Sequence, residues 1–559
     1  MALSVFCWLI SAAVTSAQQA PVTFYRDVAP ILYTRCAPCH RPGASAPFSL
    51  LSSAEARKRS AQILDAVESR YMPPWLPEPG FGDFAGSRRL TDPERETILR
   101  WIRSGAVEGN PQDGPPVPQW PGGWILGPPD LVATMPKVFQ LGAEGPDLYR
   151  NFVVPVSLIT NRYVRAIEFR PGTPKVVHHA FVRVDDTGSS RRQDGRDGAP
   201  GFPGFNSPAK MPGGQFLSWQ PGKMPTAAPE GLAWPLRMGE DLLFQIHLNR
   251  TGKPETLQSS IGLYFTDQPP TNVCFKFKLT SMAIDIPAGQ SNYVVRDSFT
   301  LPIDADVLAI LPHAHYLARD LQGSITFPDG TRKPLLWIKQ WDFRWQGDYT
   351  YREPIHVPKG SQFNLQFTYD NSTNNLRNPF NPPRRILFGE QSNDEMAELW
   401  IQLIPVKQME IPILEKAVLS HLRPLLRQGY ESRLQARPDD LEALNNLGMI
   451  LYTENRPADG WKLLERALAA DPNWAETHLN RGVVFRFSGR LPEAVVELET
   501  AVRLDPRLAR AHSQLGFAHA ALGEGPAALR SFEKAVELNP NDTDAKESLD
   551  KVRQSVGRR

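Results

Sequence analysis

Three short stretches decide how this chain reads: VVHHAF (176–181), FQIHLNRTG (244–252) and LPHAHYLARD (311–320). Each sets histidine into a short strand-like run of apolar residues. They belong to a longer series with the same texture: NFVVPVSL (151–158), RYVRAIEF (162–169), SIGLYFT (260–266), GSITFPDG (323–330), SQFNLQFTYDN (361–371) and ELWIQLIPV (398–406). Clusters of Gly, Pro, Asp and Asn divide the runs, so residues 148–408 read as antiparallel β-sandwich structure. A Gly/Pro-rich stretch at 187–233 reads as a long loop.

Histidines at i and i+2 of a strand share a face, so His313 and His315 can chelate one ion. The adjacent pair His178 and His179 converges only at a bulge or a strand end. Neutral imidazoles suit copper, zinc or iron. Three such contexts, with His247 the third, favour metal ligation over isolated core histidines. His356, in EPIHVPKG, stands alone and reads as structural or surface.

Toward the C-terminus the texture turns helical and repetitive. Pro438, Pro472, Pro506 and Pro540 are spaced 34 residues apart. Between them recur Leu447-Gly448, Arg481-Gly482 and Leu515-Gly516, then Gly460, Ala494 and Ala528, then Ala467, Ala501 and Ala535. This resembles the tetratricopeptide repeat, in which small residues let two helices pack closely and proline ends the second. Three repeats fit 438–556, with a capping helix over 541–556 and a connecting helix over 409–437. Such arrays form concave binding surfaces, so a protein partner is expected there, with His478, His512 and His519 as groove or packing residues.

At 559 residues the chain exceeds one core, and about three to five domains are expected. A formal net charge of +2 gives no global argument for nucleic acid or an anionic membrane surface. The 53 prolines gather before residue 385, away from the helical end. An apolar run from Ala2 to Ala13 followed by small residues reads as a signal peptide over 1–17, although no Lys or Arg precedes it. The expected location is periplasmic or secreted, with no membrane span in the mature chain. Cys7 leaves with the signal, and Cys36, Cys39 and the solitary Cys274 supply no disulfide framework.

Residues 21–108 read as a small all-α unit, followed by a Pro/Gly-rich linker over 109–147. Within the unit, TRCAPCHRPG (34–43) carries C-x-x-C-H, the attachment signature of c-type haem. Cys36 and Cys39 would form the thioethers, and His40 is placed as proximal iron ligand. Met72, in SRYMPPW, is the methionine available as second axial ligand, and a thioether raises the iron's potential. TDPERETILRWIRSGA (91–106) reads as a capped amphipathic helix with Leu99, Trp101 and Ile102 apolar and Gly105 near its end. The unit resembles the small class I cytochromes c.

The histidine contexts carry a second resemblance. The order HH, an isolated strand histidine, H-x-H, then the methionine of S-N-D-E-M resembles the copper type II, ascorbate-dependent monooxygenases. That family includes peptidylglycine α-hydroxylating and dopamine β-monooxygenase. The stretch GEQSNDEMAELWIQL (389–403) resembles the family's closing segment, and YDNSTNN (369–375) resembles the region just before it. The resemblance implies two jelly-roll-like β-sandwich subdomains, 148–268 and 269–408, each holding one copper. His178, His179 and His247 would ligate the electron-transferring copper; His313, His315 and Met396 the one that meets dioxygen. Imidazoles tolerate both copper states, and a thioether favours Cu(I). Arg319 and Asp320 stand as either partners orienting the imidazoles or a surface ion pair.

Departures accompany it. Peptide-processing members place an arginine two residues before H-x-H, where Leu311 stands here, and Asn and Tyr where this chain has Glu398 and Trp400. Peptide amidation is therefore not expected, and Glu398 would suit a cationic group on the substrate. The sequence thus leads to an exported haem- and copper-dependent monooxygenase hydroxylating a C–H bond of a small organic substrate with dioxygen. Its electrons would come from an ascorbate-like reductant or a periplasmic redox protein and pass through the haem. The alternative is a non-catalytic haem- and copper-binding scaffold.

Overall fold

The computed structural model describes residues 21–556, apart from 45, 146, 205–208, 213–214, 230, 390 and 540–541. The expected signal, with Cys7, lies outside the described residues, as does Pro540. The chain divides into two compact units. One comprises residues up to Trp75 together with Arg88–Gly123; the other comprises Leu76–Ser87 and Trp124 onward.

The first unit is helical. A turn over Phe24–Val28 runs into Ala29–Arg35, followed by Ser53–Lys58, Ser60–Glu68 and Asp92–Arg103. The last helix starts as its sequence dictates. Thr91 accepts from the Glu94 N–H while Glu94 returns a bond to the Thr91 N–H, satisfying two donors the helix cannot pair itself. Its inner face puts Ile98, Leu99 and Trp101 against Phe24 and Leu32, all at most 2% exposed.

The expected linker is not a free tether. Its first part lies on this unit: the Arg41 guanidinium donates to the Gly123 carbonyl at 2.7 Å and covers the Trp120 ring at 4.5 Å. A Cβ at Gly114 would sit 2.9 Å from the Tyr25 carbonyl, so only glycine allows that approach. The remainder starts the second unit, where Leu131–Thr134 and Phe139–Leu141 are strands. The expected 21–108 boundary also shifts, because 76–87 pack on the second unit. There the Glu78 N–H donates to Trp337 at 2.7 Å and Phe84 bridges to Tyr351. Proline and glycine counts cannot separate a tether from an irregular segment held by side chains.

The second unit opens with two antiparallel sandwiches. In the first, a sheet ordered Leu131–Thr134, Ser260–Thr266, Arg162–Arg170, Trp234–Leu236 shares one core with a sheet ordered Phe202–Pro203, Leu148–Pro155, Asp241–Leu248, Val177–Asp185, Ser218–Trp219. The second pairs Phe275–Thr280, Glu398–Pro405, Ala305–His313, Tyr349–Val357 with Tyr293–Thr300, Gln362–Tyr369, Ala318–Thr326, Arg332–Ile338. Alternation decides the faces: Leu399, Ile401 and Leu403 are fully buried while Glu398, Trp400 and Gln402 point the other way. The 187–233 stretch is mostly irregular, as expected, with the short helix Ser189–Gln193. Buried Arg150 anchors it through a bidentate pair with Asp197 at 2.8 and 2.9 Å.

Helix Ile411–Ala436 leads into the repeats. Three antiparallel pairs follow: Leu441–Thr453 with Pro457–Ala470, Ala475–Phe487 with Leu491–Leu504, and Ala509–Ala521 with Gly525–Leu538. Thr543–Val556 caps them. Helices end at Ala436, Ala470 and Leu504, two residues before Pro438, Pro472 and Pro506. Proline bars the preceding residue from helical backbone, which is the physical content of the 34-residue spacing. Among the described residues no helix is long and apolar enough to cross a membrane.

Candidate metal centres

The first centre is built on three neighbouring strands. His247 is the penultimate residue of Asp241–Leu248 and pairs across to His179, while the ladder shifts register between Val177 and His179. That bulge turns His178 to the same side as His179, as an adjacent pair requires. The Nδ1 atoms converge: His178 lies 3.1 Å from His179 and 3.3 Å from His247. All three residues offer ligand atoms within 4.8 Å of one another. A metal bound by imidazole at about 2.0–2.1 Å sets nitrogens roughly 3 Å apart, so the spacing fits one ion.

The surroundings prepare those nitrogens. His247 turns Nε2 to the Asp147 carboxylate at 3.2 Å and stacks on Tyr149 at 4.2 Å between ring centroids. The hydrogen bond from His247 holds Asp147 below the usual carboxylate range. Burial, and after it the neighbouring His247, pushes His178 down to about 3. His179 is likewise held well below its ordinary value, chiefly by burial. Desolvation thus favours the neutral form of His178 and His179, the form that ligates metal.

The second group lies on the facing sandwich. His313 closes Ala305–His313 and His315 follows it, their rings 5.2 Å apart. His313 directs Nδ1 to Gln346 Oε1 at 2.5 Å, and His315 directs Nδ1 to the Asp394 carbonyl at 3.1 Å. Neither Nε2 has a hydrogen-bond partner among the described residues, so both remain for a ligand. Burial pushes His315 down to about 3.

Met396 is joined to this pair through its neighbour. The buried Glu395 carboxylate accepts the backbone N–H of His315 at 2.5 Å, of Leu317 at 2.9 Å and of Met396 at 2.9 Å. Burial drives this carboxyl up to about 8 despite those donors. The ladder that pairs His313 with Glu398 ends at that pair, two residues short of His315 on one strand and of Met396 on the other. Phe343 lies between the two groups, 4.7 Å from the His178 ring and 5.4 Å from the His315 ring.

Other assigned residues settle differently. Arg319 is an exposed partner of Asp370 at 4.0 Å, and Asp320 accepts from Gln322 and Trp337, so neither orients an imidazole. Glu398 is not offered to a cationic substrate: Lys278 pairs with it and Trp400 Nε1 donates to it at 2.8 Å. His356 pairs with Asp306 on the surface. His478, His512 and His519 bond to Glu497, the Pro506 carbonyl and Glu524, a packing role. Asp147, Tyr149, Gln346, Glu395 and Phe343 carried no motif of their own; only Glu395, adjacent to Met396, had a local signal.

In the helical unit, the Cys39 and His40 N–H groups both donate to the Cys36 carbonyl, at 3.1 and 2.8 Å, so one turn carries all three side chains. Both thiols are free. His40 Nδ1 faces the Phe48 carbonyl at 3.2 Å, leaving Nε2 unspent. Met72 is half-buried just past Ser60–Glu68, its N–H donating to Ala66 at 3.0 Å. This donor set fits a haem attached through two thioethers.

Comparison with known proteins reaches the C-terminal helices. A family profile described as TPR repeat matches residues 484–523, and one described as Tetratricopeptide repeat matches 509–542. The C-terminal region is therefore a tetratricopeptide repeat solenoid, of a kind that commonly mediates protein–protein interaction. No curated protein matches the chain. Similar solved structures include MamA, 24% identical over 26% of this chain and 83% of that one, TM-score 0.22. Others are the first TPR of Spaghetti (RPAP3) bound to an HSP90 peptide (23%, 21% and 95%, 0.21) and the Sgt2 TPR domain from Aspergillus fumigatus (22%, 21% and 80%, 0.21).

Proposed function

We propose that this chain is an exported copper monooxygenase with its own c-type haem, hydroxylating a C–H bond of a small organic substrate. The observation that carries the reading is the convergence of His178, His179 and His247 on one point, opposite a second histidine pair on the facing sandwich. The balanced reaction is R–H + O₂ + 2e⁻ + 2H⁺ → R–OH + H₂O, with electrons supplied singly by an ascorbate-like reductant or a periplasmic redox protein. Copper, when bound, supplies one-electron redox chemistry and an open position for dioxygen.

The chain's own residues set the stage for it. Asp147 and Tyr149 fix the His247 ring. Gln346 and the Asp394 carbonyl fix the tautomers of His313 and His315. Glu395 ties Met396 to His315 through their backbones. Cys36, Cys39 and His40 would hold the haem, with Met72 as second axial ligand, and relay electrons toward the first centre. The repeats would recruit a protein partner, the electron donor or a substrate carrier.

The test is metal and haem stoichiometry on protein exported through a periplasm competent in cytochrome c maturation, with His313→Ala and Met396→Ala alongside. One haem and two coppers, with one copper lost or weakened in each variant, is the expected result. Haem alone, or zinc indifferent to both substitutions, would leave a haem protein fused to a binding scaffold.

A further inference from the structure

The sheet face that carries His313 continues away from it in rows. Register puts Thr280, Glu398 and His313 in one row, Lys278, Trp400 and Leu311 in the next, and Lys276, Gln402 and Ala309 in the third. At roughly 3.3 Å per residue the Lys276 row lies about 13 Å along the sheet from the His313 row. This face looks toward the first sandwich, where Met211 and Phe216 meet it.

Its charges do not balance. Glu398 is spent on Lys278 and Trp400. Lys276 Nζ lies 2.8 Å from Met211 Sδ and 5.9 and 6.0 Å from the Phe216 and Trp400 rings, with no carboxylate partner among the described residues. Arg183 lies four residues beyond His179 on Val177–Asp185, on the same side of that strand, and near enough to Lys276 for the two cations to repel. Arg183 donates to Gln245 Oε1 at 3.1 Å and the Ala209 carbonyl at 3.5 Å. Its buried Nε has no acceptor among the described residues. Burial, then repulsion from Arg183, pushes Lys276 down to about 8, and burial lowers Arg183 too. Two desolvated cations with no counter-charge are costly unless something from outside completes them.

We propose that Lys276 and Arg183 form an anion-binding subsite between the sandwiches, holding the carboxylate of an organic acid while its apolar body lies along Trp400 and Leu311 toward His313. The inference rests on the monooxygenase reading for what happens at the far end of that acid, but not for the binding itself. It also accounts for Leu311: the cation absent from that strand is supplied from two others.

The test uses the full chain free of copper and titrates it calorimetrically with 4-phenylbutyrate and with its uncharged amide. The acid binds, and the amide binds at least about tenfold more weakly, as expected for loss of charge-assisted hydrogen bonds. Lys276→Met and Arg183→Met each lower acid affinity by about ten- to a hundredfold, while Lys276→Arg retains it. Lys276→Met removes an uncompensated charge, so its melting temperature should not fall. No binding of the acid, equal binding of acid and amide, or undiminished binding by a folded Lys276→Met overturns the proposal. Copper counts on the same proteins after separate loading with copper are an independent readout, so failure of the copper reading stays distinguishable.

Discussion

Asp147 holds the outer nitrogen of His247 and so decides which nitrogen faces the other two imidazoles. An Asp147→Asn side chain keeps the shape but loses the charge that favours an Nε2 proton. On the copper reading, affinity at the first centre should drop by about ten- to a hundredfold while the second centre is unaffected. Competition with a chelator of known affinity checks this, and equal weakening at both centres would count against it. The histidines themselves stood out in the sequence because consecutive or i, i+2 histidines in strands are unusual. Asp147 and Gln346 were not, because each lies far along the chain from the ring it fixes, 100 residues for Asp147 and 33 for Gln346. An exposed-looking acid and a lone amide carry no pattern until the ladder brings them together. Glu398 illustrates the reverse: its type suggested a free carboxylate, and only the pairing of its strand with Phe275–Thr280 places Lys278 beside it.

Between elements, the repeats were the most legible part of the chain. Their spacing follows from where helices stop, and small residues mark where they touch. The period nevertheless hides a difference between repeats. Gly460, Ala494 and Ala528 occupy equivalent positions, which makes Gly460→Ala look harmless or stabilising, by about 1 kcal/mol from helix propensity alone. The first pair packs more closely: a Cβ on Gly460 would lie 2.4 Å from the Gly448 carbonyl. Overpacking of that kind costs about 1–3 kcal/mol and the backbone cannot swing aside as a side chain could. Gly460→Ala is therefore expected to loosen Leu441–Thr453 and Pro457–Ala470. Their amides should exchange faster by about five- to thirtyfold, while helices from Ala475 onward keep their protection. Unchanged or slower exchange would mean the helices separate freely to admit the methyl. The β-bulge before His179 was legible only as a requirement, since nothing in VVHHAF fixes which residue is displaced.

Over the whole molecule, the strand series foretold sandwich structure and the family resemblance two subdomains, but neither said what joins them. Composition made 109–147 a tether, whereas specific contacts assign its parts to two units. The joint between the sandwiches has a similar character. Phe343 sits on a short turn begun by Asp342, whose side chain accepts the Arg344 N–H. Only 6% exposed, its ring meets Tyr316 at 4.7 Å on its own sandwich and His178 at 4.7 Å on the other. One side chain thus fills space claimed by both bodies and separates the two histidine groups. Phe343→Ala removes no ligand, so metal content should persist, but the cavity should cost about 3 kcal/mol or more. Because that loss falls on the joint, calorimetric unfolding of the β region should broaden or split as each sandwich melts on its own core. If electrons do pass from the first centre to the second, their transfer in the metal-loaded protein should slow, since the packed ring gives way to solvent. A melting profile that keeps its single-step shape and midpoint would show that the joint is held elsewhere, by the loop that presents Met211 and Phe216 to Lys276.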